Sequence, residues 1–264
     1  MLAGKFAIVT GSGRGIGRAA AIALARNGAA VALASRTARE LDETVAAIER
    51  EGGRALAVPT DASDEDAVQR LLARTVAAFG TVDILATCAG INGPIDWIEN
   101  IPLDAWEQTL RVNLTGAFLA CRAVLPIMKR QRRGKIINVA SGNAMRVQPA
   151  LAAYSTAKAG VVHFTRVLAE EVRGHNIQAF ALHPGVIKSA LVDELLAQPT
   201  TGAAGNLVAR LRAIPIHEPE YSAPLFVYLA SEDANDLSGQ FVIHDDPALR
   251  ARMKKAGIVQ STSP

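Results

Sequence analysis

The chain has 264 residues, half of them apolar, with 28 basic and 25 acidic side chains and a net charge of +3 at pH 7. That composition can bury one large core, and α/β domains run to this length as a single unit. It argues against nucleic acid as a partner, because the basic excess is small and scattered. It argues against a disulfide framework, because Cys88 and Cys121 are the only cysteines.

In chain order, short runs rich in Val, Ile and Leu predict strands over 5–10, 30–35, 54–59, 82–87, 135–140, 177–183 and 240–244. Amphipathic stretches between them predict helices over 15–27, 38–51, 64–79, 104–130, 151–173 and 219–231. The strand runs are almost wholly apolar rather than alternating, which suits strands covered on both faces. Strand–helix–strand succession implies parallel strands with right-handed crossovers. The expectation is therefore a Rossmann-like, doubly wound α/β three-layer sandwich with a seven-stranded parallel sheet, forming one domain over 1–264. Such sheets bind ligands beyond the carboxyl ends of their strands. The basic run Lys129, Arg130, Arg132, Arg133 and Lys135 reads as a solvated helix end, and Arg250, Arg252, Lys254 and Lys255 fall in a basic C-terminal tail, 245–264. No stretch approaches the ~20 apolar residues of a membrane span, and no basic leader precedes the first apolar run. A cytoplasmic protein without membrane attachment is expected, and no metal site is expected.

After Phe6-Ala7-Ile8-Val9 comes Thr10-Gly11-Ser12-Gly13-Arg14-Gly15-Ile16-Gly17, opening an Ala-rich helix. Glycines there let the backbone approach a pyrophosphate, and the helix N-terminus offers free N–H groups and partial positive charge. Its place after the first strand makes this turn a dinucleotide-binding candidate. The spacing T-G-x-x-x-G-x-G resembles the fingerprint of the short-chain dehydrogenase/reductase family.

That resemblance implies an acidic residue at the end of strand two in NAD-dependent members, aligned with Ser35. Here the acid is missing, Arg36 follows, and Arg14 lies in the glycine turn. Guanidiniums present paired donors suited to a phosphate. NADP(H) is the expected cofactor, with Arg14 and Arg36 meeting the 2′-phosphate.

Tyr154-Ser155-Thr156-Ala157-Lys158 places a phenol and an ammonium four residues apart, on one face of a helix. A phenol near pKa ~10 is a poor base at neutral pH, and a nearby ammonium favours its phenolate. Taken alone the pair also suits an ordinary helix surface, Ser141 a helix cap and Asn113 a polar helix position. Together Asn113, Ser141, Tyr154 and Lys158 match, in order and spacing, the Asn-Ser-Tyr-Lys tetrad of the family. The resemblance implies that Tyr154 exchanges a proton with the substrate oxygen and Ser141 hydrogen-bonds it. It also implies that Lys158 tunes the tyrosine and holds the nicotinamide ribose, and that Asn113 holds a relay water.

The same resemblance places Asp61 at the adenine edge, Ala89-Gly90 at the cofactor's close approach, and Pro184, Gly185 and Ile187 under the nicotinamide. Ser189 stands on the carboxamide, and Gly11, Ser12, Gly15, Ile16, Gly17, Tyr154 and Lys158 complete the cofactor set. Ser141, Asn143, Met145 and Tyr154 are the candidate substrate contacts. Segments 91–103 and 189–214, the latter a candidate mobile lid, carry many apolar residues and suggest a substrate with an apolar body. Two departures stand out: Thr87-Cys88 replaces the family's Asn-Asn, and His244-Asp245-Asp246-Pro247 replaces its closing Asp-Gly-Gly. Helices 104–130 and 151–173 are apolar on more than one face, so a homodimer or homotetramer is expected.

The functional expectation is an NADP(H)-dependent oxidoreductase interconverting a ketone or aldehyde with an alcohol. A 3-oxoacyl thioester reductase is the alternative within that chemistry, and a non-catalytic nucleotide sensor on the same scaffold is the distant one. Extended sugar-nucleotide epimerases or dehydratases need a larger C-terminal domain than the 75 residues that follow Ser189.

Overall fold

The computed structural model describes residues 1–258. Seven parallel strands form one sheet: β1 (Phe6–Thr10), β2 (Ala30–Ser35), β3 (Arg54–Pro59), β4 (Ile84–Thr87), β5 (Gly134–Val139), β6 (Ile177–His183) and β7 (Phe241–Ile243), in spatial order β3-β2-β1-β4-β5-β6-β7. The order reverses between β1 and β4, where Thr10 stands level with Thr87. This is the switch point at which such sheets open a crevice beyond their strand ends.

Helices cover both faces. On one lie α1 (Gly15–Arg26), α2 (Ala38–Glu49) and α9 (Ala223–Leu229); on the other lie α3 (Glu65–Phe79), α5 (Gly116–Gln131) and α6 (Ala152–Val172). The strands are buried on both sides because alternate residues serve opposite layers. Ala7, Val9, Val31 and Leu33 pack under α1 and α2, while Ile8, Ala32 and Leu85 pack under α3 and α5. The expected three-layer sandwich is thus the fold that forms.

Four elements differ from expectation. The long fourth helix is three pieces: α4 (Leu103–Leu110), one wide π turn (Arg111–Thr115) and α5. This continuous run, Leu103–Gln131, has an 18-residue window of mean hydropathy 1.3, so by length and composition one helix here could cross a membrane. That corrects the sequence expectation; 44 % of the window is buried against the rest of the domain, as in a core helix.

Segment 189–214 carries α7 (Ala190–Leu196) and α8 (Gly205–Arg212). The basic tail is not a tail over 247–255 but helix α10 (Pro247–Lys255), started by Asp246, whose carboxylate accepts from the N–H groups of Ala248 and Leu249. Leu249 and Met253 of α10 sink into the α1/α9 core, while its basic side chains face outward or pair, Arg252 with Asp236. Helix 219–231 resolves into a 3₁₀ turn, Pro219–Tyr221, followed by α9. The departure Thr87-Cys88 is accommodated inside the sheet. Thr87 donates to Asn138 Oδ1 at 2.8 Å and Asn138 Nδ2 donates to Thr165 at 3.0 Å, so a buried polar chain braces β4, β5 and α6.

Candidate active site

Glycines shape the groove at the switch point. A Cβ on Gly17 would fall 2.2 Å from the Gly11 carbonyl oxygen, so only glycine lets α1 start this close to the turn. Gly15 has φ +54°, and a Cβ there would meet only Ser189, at 3.7 Å, across open space. A side chain at position 15 would therefore point into the cavity that the turn frames. That cavity holds about 420 Å³, within the range of small-molecule and cofactor sites. It is walled by Gly11, Arg14, Gly15, Ile16 and Gly17, by Ser35, Arg36 and Asp61, by Ala89 and Gly90, and by Ser189. An opening framed by a bare glycine turn and a helix start fits a dinucleotide.

Not every expected cofactor residue faces this space. Ser12 is fully buried and its hydroxyl accepts from the Ala34 N–H at 2.8 Å, so it ties the glycine turn to β2 instead of reaching the groove. Pro184, Gly185 and Ile187 follow β6 at the same sheet end, but they line no part of this cavity, and Ile187 is buried beside His217. Ser189 caps α7: its hydroxyl accepts from the Val192 N–H and donates to the Ile187 carbonyl.

One residue was not foreseen. Glu40, on the first turn of α2, lines the groove beside Ser35, and Arg14 Nη1 lies 3.8 Å from its carboxylate. A Cβ on Gly13 would touch both Glu40 and Ser35 at 2.8–2.9 Å. The strand end therefore lacks an acid in sequence but has one in space. The signal in the sequence was a carboxylate one helical turn beyond the strand-two end. The Asp61 carboxyl, also at this end, is lowered by the N–H and hydroxyl of Ser63.

None of the four tetrad candidates lines this cavity: Asn113 and Lys158 lie behind its Gly90 wall, and the Tyr154 ring lies 5.8 Å from the Lys158 ammonium. Ser141 follows β5 and its hydroxyl accepts from the Asn143 N–H at 3.2 Å, while the Tyr154 phenol on α6 lies near enough for that hydroxyl to favour its phenolate. Lys158, one turn further along α6, is buried, and its ammonium donates to the Val139 carbonyl at 2.9 Å. Burial lowers its pKa from 10.5 to about 8. Tyr154 moves the other way: burial pushes its phenol up, and the nearby Ser141 hydroxyl only partly offsets this. The sequence expectation that Lys158 lowers the phenol is not what this arrangement does, because the ammonium bonds Val139 and desolvation outweighs the rest.

Asn113 lies at the middle of the π turn. Such single-turn widenings recur at functional sites. Its amide donates to the carbonyls of Ile91 and Thr109 at 2.9 and 3.0 Å and accepts from the Ile91 N–H. A methyl group on Gly90 would sit 2.7 Å from Asn113 Oδ1 and 3.7 Å from Lys158 Nζ, so Gly90 keeps open the space between those two polar groups.

The lid closes over this end. Leu195, Leu207 and Leu211 are buried in one cluster with Leu151, against Tyr154, Ile95 and Ile214. Asn92 pins α7 to the β4 loop, donating to the Leu191 carbonyl and to Glu194, both at 2.8 Å. Of the candidate substrate contacts, Ser141 and Tyr154 face the site. Asn143 turns its backbone N–H to Ser141, whereas the Met145 side chain is 60 % exposed and stands away from the pocket. Cys88, half-buried on the groove wall, lies beside Lys158, and burial pushes its thiol up to about 12, which favours the protonated thiol.

The family described as short chain dehydrogenase matches residues 5–200. A 3-oxoacyl-[acyl-carrier-protein] reductase of Synechocystis sp. is 35% identical over 237 residues, covering 88% of this chain and 92% of the relative. A cis-4-hydroxycyclohexanecarboxylate dehydrogenase of Sinomonas cyclohexanicum is 36% identical over 242 residues, covering 91% and 95%. Among solved structures, a xylitol dehydrogenase bound to NAD+ superimposes with a TM-score of 0.84 at 27% identity, covering 92% of this chain and 98% of that one.

Proposed function

The chain belongs to the short-chain dehydrogenase family, and from that premise we propose that it reduces a small ketone or aldehyde, or oxidises the matching alcohol, with NADP(H). The observation that carries this reading is that Ser141, Tyr154 and Lys158 neighbour one another just behind the Gly90 wall of a groove that fits a dinucleotide. When bound, the nicotinamide supplies or takes the hydride. Tyr154 gives a proton to the substrate oxygen in reduction and takes it in oxidation. Ser141 donates a hydrogen bond to that oxygen and keeps it in line. Lys158 would hold the nicotinamide ribose, and the space over Gly90 lets a water join it to Asn113. The site supplies water exclusion through the leucines of α7 and α8.

At the other end Arg14 and Arg36 offer donors to a 2′-phosphate, while Glu40 opposes it. We place the protein in the cytoplasm, without nucleic-acid or membrane partners. It assembles as a homodimer or homotetramer through α5 and α6, where Phe118 and Val167 remain 40 % and 45 % exposed. A second reading, reduction of a 3-oxoacyl thioester, is favoured by the Synechocystis relative's name.

A turnover screen tests these readings: NADPH and NADH with small ketones and with an acetoacetyl thioester, and NADP+ with the alcohols. Tyr154→Phe, which keeps the ring but removes the proton, should lower kcat by about 10²–10⁴-fold and leave cofactor binding intact. Near wild-type turnover in that variant would remove Tyr154 from the reaction.

A further inference from the structure

We propose that His244 is a positioning residue for the lid: its ring seats the lid's base when neutral and releases it in acid; as a control on the site this rests on the oxidoreductase reading above. His244 opens the segment that replaces the family's closing Asp-Gly-Gly. The sheet fixes its place, because its backbone N–H donates to the His183 carbonyl at 3.0 Å, just beyond the β6–β7 pairing. Its side chain is only 12 % exposed. The lid, 189–214, stands on two feet, residues 186–188 and the segment at His217. Two backbone hydrogen bonds clip them together. The His217 N–H donates to the Val186 carbonyl at 2.9 Å, and the Lys188 N–H donates to the His217 carbonyl at 2.8 Å.

At this base the His244 ring is the common neighbour. A Cβ on Gly185, in the turn that leads into the first foot, would fall 3.2 Å from three atoms of the ring, so the turn rests on the imidazole. On the second foot the His217 ring stacks on Tyr221 at 3.9 Å, and His244 stands edge-on to both, with ring centres 6.0 and 5.5 Å away. Nδ1 of His244 lies 3.3 Å from the Tyr221 hydroxyl oxygen. On its other side His183 packs edge-on at 5.4 Å. A Cβ on Gly142, the neighbour of Ser141, would fall 3.1 Å from His183 Nε2. Two adjoining imidazoles thus underlie the lid base and the serine loop.

A proton on His244 is poorly supported while the lid is seated. The ring is enclosed by His183, His217 and Tyr221. Arg250 of α10 donates through Nε to the His244 carbonyl at 2.6 Å and holds its guanidinium 4.7 Å from the Tyr221 ring centre, and Arg146 approaches Gly142 beside His183. Among the described residues Asp245 is the carboxylate near the ring, 3.8 Å from Nε2, but it is 67 % exposed and screened by solvent. Glu218 pairs with Lys188, and Asp246 caps α10. Burial therefore lowers the His244 pKa, and takes that of His183 to about 4. A solvated imidazole titrates near ~6.5. Above that pH the ring is neutral in either state and the lid seats fully. Below it, a lifted lid lets water reach the ring and the proton binds there first. Acid thus favours the lifted lid, by about tenfold at one unit below 6.5. His183 belongs to the sheet end and stays buried with it.

Hydrogen exchange of the full chain tests this without any substrate. Between pH 7.5 and 5.5, peptides over 189–214 should lose about tenfold in protection beyond the intrinsic change in exchange rate, while peptides of β1 and β4 keep theirs. His244→Phe keeps an aromatic ring that takes no proton, and should reduce that loss to less than about twofold. His244→Ala removes the seat, and should loosen the lid at pH 7.5 to the level that wild type reaches at pH 5.5. A wild-type lid whose protection does not change with pH overturns the proposal, and so does an equal loss in His244→Phe. Loss shared by β1 and β4 means acid unfolding of the whole domain and also overturns it. Should neither variant fold, NMR titration of isotope-labelled histidines in wild type decides: a His244 ring that titrates at or above about 6.5 refutes the seat. Where a ketone is turned over, its KM should rise about tenfold over the same pH range in wild type and stay nearly level in His244→Phe. If no ketone is turned over, the oxidoreductase reading fails, and the exchange result still decides what His244 does.

Discussion

Lys158→Met should make the protein more stable while ending its catalysis, and the size of the effect follows from where the ammonium sits. The group is buried, and its one hydrogen-bond partner is the Val139 carbonyl at 2.9 Å. Folding lowers its pKa from 10.5 to about 8. At about 1.4 kcal/mol per unit, holding the charged form in the fold costs about 3 kcal/mol at pH 7. Methionine fills the same volume without charge but leaves the Val139 carbonyl unpaired, a loss of about 1 kcal/mol. The net gain at pH 7 is about 2 kcal/mol, enough to raise the melting temperature by several degrees.

The pH dependence is the sharper signature. Between pH 8 and 10.5 the folded chain has released this proton and the unfolded chain still holds it. Wild-type stability therefore rises with pH through that window relative to the variant, and is flat with respect to this group below it. Urea unfolding of both proteins at pH 7, 8, 9 and 10, taken as a difference, cancels the other titrating groups. The variant's advantage should fall by about 3 kcal/mol across the series. A difference that is constant with pH would mean that Lys158 titrates as it does in water, and the argument from burial would fail.

The other expectations concern the cofactor, the assembly and the last helix. Arg36→Ala should raise the apparent constant for NADPH by about tenfold, the lower end for an exposed charged contact, with that for NADH little changed. Glu40→Gln should shift kcat/KM the opposite way, toward NADPH, and Ser35→Asp toward NADH; a wild type that prefers NADH refutes the arginine assignment. Light scattering at micromolar concentration should show a dimer or larger, and Phe118→Asp should weaken it; a monomeric wild type contradicts the reading of the exposed α5 and α6 faces. Met253→Ala should cost about 2–5 kcal/mol in chemical denaturation, because Met253 is fully buried; a negligible loss would mean that α10 is not docked in solution.

The layers were legible in the sequence because strand and helix periods differ and each run keeps one of them. The β1 to β6 strands and their crossovers are read from apolar runs such as Ile136-Ile137-Asn138-Val139, which bury both faces. The nearness of Asn113, Ser141, Tyr154 and Lys158 was legible because four chemically distinctive residues stand in the order and spacing of the family pattern. What stayed hidden depends on tertiary contact. Helix α10 carries four basic residues among its nine, and only Leu249 and Met253 are buried in the core. The π turn at Asn113 lies inside a run that reads as one uninterrupted helix; one wider turn leaves no mark on a periodicity of 3.6. Ser12 sits among groove residues, yet its hydroxyl faces inward, because β2 needs a partner for the Ala34 N–H.

The cofactor end shows most clearly why position along the chain does not decide chemistry. Reading Ser35 as a missing acid treats the strand end as the only place from which a carboxylate can reach the adenosine ribose. The fold offers a second route. The loop Arg36-Thr37 is short, α2 begins at Ala38, and its first turn carries Glu40 back over the glycine turn to within contact of Ser35 and Gly13. Arg14 then answers Glu40 across 3.8 Å, so one of the two guanidiniums expected at a 2′-phosphate already has an anionic neighbour. A 2′-phosphate there would meet Arg36 directly, would have to draw Arg14 away from Glu40, and would feel the remaining carboxylate. A ribose hydroxyl would find that carboxylate as an acceptor. On the proposed NADP(H) reading, the balance of these terms would leave a modest preference rather than an absolute one, since an exposed pair contributes about 1 kcal/mol or less. It also makes Glu40 the residue whose replacement moves the preference furthest toward the phosphate without touching a donor.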